Sequence, residues 1–171
     1  MTQDNDRTHR QSSDPVDDRV PRLRLKPDSA KTGYVDGAWW PRSDNLMSEL
    51  PALLATVTGR LGRVRRITYR LGEWESAPSD LVIEGLAVRL EGHRTGTVNT
   101  IEMLGTRDRR LVLLVIPPYT DDHQAFAAMD AASATGDVST VDDLLMISPG
   151  ERRDRTTRAE AVRRWSAEDQ R

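Results

Sequence analysis

The side chains best equipped for chemistry gather in one run, Gly33-Tyr34-Val35-Asp36-Gly37-Ala38-Trp39-Trp40-Pro41-Arg42-Ser43, which holds two of the chain's four tryptophans. Tyr34, Asp36, Trp39, Trp40 and Arg42, joined by Trp74 between Glu73 and Glu75, combine aromatic walls with charges of both signs. That is the composition of a small-ligand pocket or a protein contact. It also permits catalysis on a small molecule, with Asp36 or Glu73 as acid/base and Arg42 holding an anion. A plainer explanation competes with both. The chain has only one phenylalanine, so tryptophans must supply much of its aromatic core, and Asp36 and Arg42 could simply brace the bend.

Most other chemistries lack their parts. His9, His93 and His123 fall in a polar end, at a strand end and at a helix start, with no spacing that marks a metal site. No phosphate-cradling glycine loop, dinucleotide turn or hydrolase elbow is present, so no metal or cofactor is expected and a non-enzyme is favoured. Gly92 to Gly96 reads as a flexible hairpin. Arg60, Arg63, Arg65, Arg66 and Arg70 form the densest basic stretch of the central region. Contact with nucleic acid through this stretch is a third, weaker reading. Strand alternation would divide those arginines between two faces and no aromatic-rich RNA motif accompanies them, so a solvated edge strand is the better expectation.

The elements that must position these groups follow from patterning. Glycine at 33 and the Asp36-Gly37 pair read as turn punctuation. Extended backbone at Trp39 and Trp40 would send the rings to opposite faces, one into the core and the other toward a groove or solvent. Pro41, then Ser43 or Asp44 as a cap, makes the stretch a strand-to-helix corner. Leu46, Leu50, Leu53, Leu54, Val57 and Leu61 share one helical stripe. Pro51 suggests a short opening turn before a main helix over 50–61, which Gly62 ends.

Residues 20–26 alternate basic and apolar between Pro21 and Pro27, the pattern of a strand at a sheet edge. Extended segments are expected at 63–71, 80–84, 86–92, 97–104 and 110–116. Glu84-Gly85 forms a two-residue hairpin that sets Ile83 opposite Leu86 and Leu81 opposite Val88. The unbroken apolar run from Leu111 to Ile116 describes a strand covered on both sides. A second helix is expected over 121–135, with Ala125, Phe126, Met129 and Ala132 on its buried stripe, and a short third one capped by Ser139 or Thr140.

Length and charge bound the rest. At 171 residues the chain fits one domain, and 30% charged residues with a net charge of −2 provide no global field to draw it to nucleic acid or membrane. It has no cysteine, which suits a reducing cytoplasm. The start of the chain lacks an apolar signal core and no stretch is long enough to span a bilayer. Residues 1–19 have almost nothing to bury and read as a disordered tail. Residues 149–171 read as a second, arginine-rich tail, with a capping box at Thr157 and Glu160 opening an undocked helix that carries Trp165. Between them, 20–148 reads as a single α+β domain: a mainly antiparallel sheet of about five to six strands with helices packed on one face.

The segment Leu23-Arg24-Leu25-Lys26-Pro27, the GYVDGAWWPRS run, the Glu49-Leu50-Pro51-Ala52-Leu53-Leu54 helix and the Leu113-Leu114-Val115-Ile116-Pro117-Pro118 strand together resemble a family of uncharacterised actinobacterial proteins. The resemblance covers about residues 20 to 130. It implies a small cytoplasmic bacterial protein and supplies no activity, ligand or catalytic residue. The favoured expectation is a non-enzymatic binding or regulatory module that meets a protein partner or small ligand through the Trp39/Trp40 corner.

Overall fold

In the computed structural model, residues 21–27 and 33–146 are described, so both expected tails, including Trp165 and its helix, lie outside the described residues. One mixed sheet organises the chain. Its strands are β1 (Leu23–Leu25), β2 (Gly37–Trp39), β3 (Arg66–Arg70), β4 (Asp80–Ile83), β5 (Leu86–His93), β6 (Thr100–Leu104) and β7 (Arg110–Val115), in the order β1-β2-β7-β6-β3-β5-β4. The β2/β7 and β3/β5 pairs are parallel and the other four antiparallel. Seven strands replace the five to six expected, because Gly37–Trp39, in the tryptophan corner, supplies a strand. With three residues, all buried, β2 shows no polar alternation by which to recognise it.

The helix α1 (Leu46–Leu61) lies on one face and buries Leu46, Leu50, Leu53, Leu54, Val57 and Leu61, the stripe read from spacing. It begins four residues earlier than the expected main helix and is capped by neither Ser43 nor Asp44. The Asn45 side chain accepts from the Ser48 amide, while Ser43 Oγ donates to Glu49 Oε1 at 2.8 Å. Pro51 is accommodated inside the helix, and Gly62 at φ +67° ends it. The sheet face under α1 adds Trp39, Ile67, Tyr69, Val88, Leu90, Ile101, Met103, Leu111, Leu113 and Val115.

Helices are not confined to that face. α2 (Asp122–Ser133), capped by Asp121, and α3 (Val141–Leu144), capped by Thr140 with Asp143 completing a capping box, cover the opposite side of the β1-β2-β7 end. There they close a second core of Val35, Ala38, Trp40, Leu114, Ile116, Ala125, Ala128, Met129, Ala132, Val141 and Leu144. The physical reason is visible in β7 and β2, whose alternate positions are apolar in both phases and so need cover on both sides.

The arginine strand also sits elsewhere than expected. β3 is an interior strand, between β6 and β5, and not an edge. The true edges are β1, as read, and β4. The hairpin register is as expected, with Leu81 opposite Val88 and Ile83 opposite Leu86, and Glu84 at φ +50° and Gly85 at φ +78° in the turn between them.

Candidate functional site

Alternation along β2 divides the tryptophan pair between the two cores. Trp39, 1% exposed, enters the α1 side, where Trp74 stacks on it at 5.4 Å between centroids and 21° between planes. Trp74 rides on the 71–79 loop, fastened by the Glu75 amide donating to the Asp44 carbonyl at 2.8 Å and by Glu73 Oε1 accepting the Asn99 amide at 2.7 Å. Trp40 points the other way. It too is buried, 3% exposed, against the expectation that one ring would face a groove or solvent.

What covers Trp40 is the informative part. The Arg22 guanidinium lies over its ring at 3.5 Å, with Nε donating to the Trp40 carbonyl and Nη2 to the Pro41 carbonyl, each at 3.0 Å. Burial, followed by the neighbouring Arg42 charge, lowers the Arg22 pKa, while Glu49 and Asp122 oppose that shift. Trp40 also meets Phe126 edge-to-face, centroids 5.6 Å apart and planes at 83°. Arg24 extends the series, 6.0 Å from the Phe126 ring and ion-paired to Asp130 of α2. The Trp40 indole Nε1 is buried without a hydrogen-bond partner.

This assembly follows from the short basic strand. Arg22, Arg24 and Lys26 occupy alternate positions, so all three face α2. Each finds a receiver on that side of the sheet: the Trp40 ring, Asp130 of α2, and the carbonyl of Asp137 beyond it, which accepts from the buried Lys26 Nζ at 2.9 Å. The apolar phase, Leu23 and Leu25, packs on the α1 core. The alternation was legible as a half-buried strand; its polar side faces an acidic helix rather than open water.

The remaining candidate residues do not converge. Tyr34 is 66% exposed. Asp36 is not a turn residue but a ladder residue: its amide donates to the Val112 carbonyl at 2.7 Å and its Oδ2 accepts the Val112 amide at 2.8 Å. Gly37 likewise serves close strand approach, since a Cβ there would stand 2.2 Å from the Arg24 carbonyl oxygen. Arg42 lies beside Arg22. Both carboxylates considered for acid/base work, Asp36 and Glu73, hold backbone amides. Among the described residues no group of His, Asp or Glu could hold a metal.

Three of the arginines of 60–70 act as fasteners. Arg60 donates to the Lys26 carbonyl, Arg65 to the Gly105 carbonyl and Asp108, and Arg70 to the Gly96 carbonyl. Arg66 lies near Glu91, on the sheet face that also carries Glu102. Carboxylates interleaved with arginines weaken the attraction of that face for phosphate.

The residues that sequence reasoning missed are Arg22, Arg24 and the outward position of Phe126. Phe126 was expected on the buried stripe of α2, yet it is 45% exposed, because Ala125, Ala128, Met129 and Ala132 make the stripe and it sits on the margin. The available signal was charge: three cations in one phase of β1 against a helix with acids and no Lys or Arg.

The chain belongs to a family of unknown function, DUF5994, whose model matches residues 22–132. That span takes in every strand of the sheet, α1 and nearly all of α2. No curated protein and no solved structure matches it. Among the described residues no helix is long and apolar enough to cross a membrane.

Proposed function

We propose that this protein is a non-enzymatic binding module that meets a protein partner on the outer side of the tryptophan corner, through Phe126 with Arg24 beside it. The observation that supports this reading is the half-exposed Phe126 ring. It is held edge-to-face against a buried tryptophan, with the Arg24 guanidinium 6.0 Å from its centroid, so an apolar surface is presented on a rigid footing. A rigid aromatic group costs little conformational entropy on contact. The arrangement moves the contact from the tryptophans themselves to the ring that covers one of them. The cysteine-free composition and the resemblance to actinobacterial proteins carrying GYVDGAWWPRS support a cytoplasmic bacterial setting.

The test compares what co-purifies from native lysate with the wild type and with Phe126→Ser, after showing that the two unfold at similar temperatures. Trp40 is unsuitable for this purpose because its removal would open the second core. A protein recovered with the wild type, lost with Phe126→Ser and cross-linked through position 126 is the expected result. Identical recovery with both proteins refutes the reading.

A further inference from the structure

The two edges of the sheet are unlike. β1 is three residues long, lies between Pro21 and Pro27, and has its Arg24 tied down to Asp130, all features that discourage pairing with another strand. β4 is less guarded: Pro78 precedes it by two residues, as Pro21 precedes β1, but no proline closes its other end. Its segment Asp80-Leu81-Val82-Ile83 carries a single charge and no proline, and no strand among the described residues pairs with its outer side.

Its hydrogen-bonding phase can be read from the register. The Leu90 amide donates to the Ser79 carbonyl at 2.8 Å, which makes Ser79/Leu90 a bonded pair, and alternation then makes Leu81/Val88 and Ile83/Leu86 bonded as well. The Arg89 amide, consistently, turns away to the Arg65 carbonyl of the β3 side. The backbone groups of Asp80 and Val82 therefore point outward. Side chains at this margin are also incompletely covered. Leu81 and Ile83 extend the α1 core but are only half-buried, Leu86 is 44% exposed, and Val82, on the opposite face, is 67% exposed. The larger core ends unfinished at an open edge.

We propose that β4 pairs antiparallel with β4 of a second copy of this chain about a two-fold axis at Leu81. This register satisfies both the outward backbone groups and the charge of the strand. It sets the outward groups of Asp80 against those of the partner's Val82, and the reverse, as two bonded pairs, with Leu81 facing the partner's Leu81 on the α1 side. The sole charge of the strand then lies opposite a valine and beside its own neighbour Arg89, so no like charges meet. Centring the axis on Val82 instead would oppose Asp80 to the partner's Glu84. The chosen register continues the α1 core across the axis, with Leu81 and Ile83 gaining the cover they lack. Such a short joint gives a reversible dimer rather than an obligate one.

The register makes an unusual charge test available. Val82→Glu places a carboxylate opposite the partner's Asp80 twice per dimer, whereas Val82→Lys places an ammonium there. Sedimentation equilibrium of the full chain, from low to high micromolar concentration, is the measurement, with thermal melts confirming that both variants fold. The wild type is expected to self-associate, Val82→Glu to weaken association by about tenfold or more, and Val82→Lys to retain or tighten it. Three results overturn the proposal: a wild type that stays monomeric throughout, two variants that dissociate alike, and two that leave association unchanged.

Discussion

Asp36 offers the sharpest test of whether the tryptophan corner is held as described. Its carboxylate was a candidate acid/base group, and the structure gives it instead to the Val112 amide at 2.8 Å, with the Asp36 amide returning a bond to the Val112 carbonyl. The side chain thus stands in for a strand residue, extending the β2/β7 pairing past Gly37. Asp36→Ala leaves the Val112 donor without an acceptor, which costs about 1–3 kcal/mol. Asp36→Asn keeps an oxygen at the same reach and loses only the charge assistance, about 1 kcal/mol. For a chain of 171 residues, each kcal/mol lowers the melting temperature by about 2–4 °C, so Ala is expected to lower it by about 2–12 °C and Asn by about 2–4 °C. Urea unfolding should show the midpoint falling at unchanged slope, and the Val112 amide should exchange hydrogen faster in the Ala variant. An Ala variant that melts with the wild type and keeps Val112 protected would refute the assignment and restore Asp36 as a free functional carboxylate.

Other outcomes follow from single contacts. Gly105→Ala puts a Cβ 2.1 Å from the Leu61 carbonyl oxygen and 2.8 Å from the Leu61 Cβ, so the end of α1 must shift; a loss of about 2–4 kcal/mol is expected in urea titration. Trp74→Phe keeps an aromatic ring against Trp39 and removes a buried indole N–H that has no acceptor, so it should cost less than about 1.5 kcal/mol, against about 3–5 kcal/mol for Trp74→Ala. Asp130→Asn breaks the ion pair with Arg24, but both side chains are substantially exposed, so thermal melts should register under about 1 kcal/mol, shrinking further in high salt.

Much of this molecule was legible before any coordinates, and the legible parts share a cause. Spacing places Leu46, Leu50, Leu53, Leu54, Val57 and Leu61 on one helical stripe, and all six are buried. The Glu84-Gly85 turn dictates its own register, and of the two caps read for the short third helix, Ser139 and Thr140, it is Thr140 that caps it. In each case residues within a few positions settle the outcome, because helix period, strand alternation and turn dihedrals are properties of local backbone. The opposite directions taken by Trp39 and Trp40 belong to the same class, as does the half-buried alternation of β1.

Only the tertiary structure decided what those local pieces meet. β2 became a strand because β1 and β7 flank it, and the arginine strand became interior because β6 and β5 enclose it; neither neighbour is local in sequence. Asp36 turned from a candidate base into a ladder group through a residue 76 positions away. Trp40 was closed off by Arg22 and by Phe126, which stayed half-exposed only because the alanines of α2 reached the core first. A side chain's direction is set by its own backbone, but its company is set by how distant segments dock, and in this chain it is the company that separates scaffold from surface.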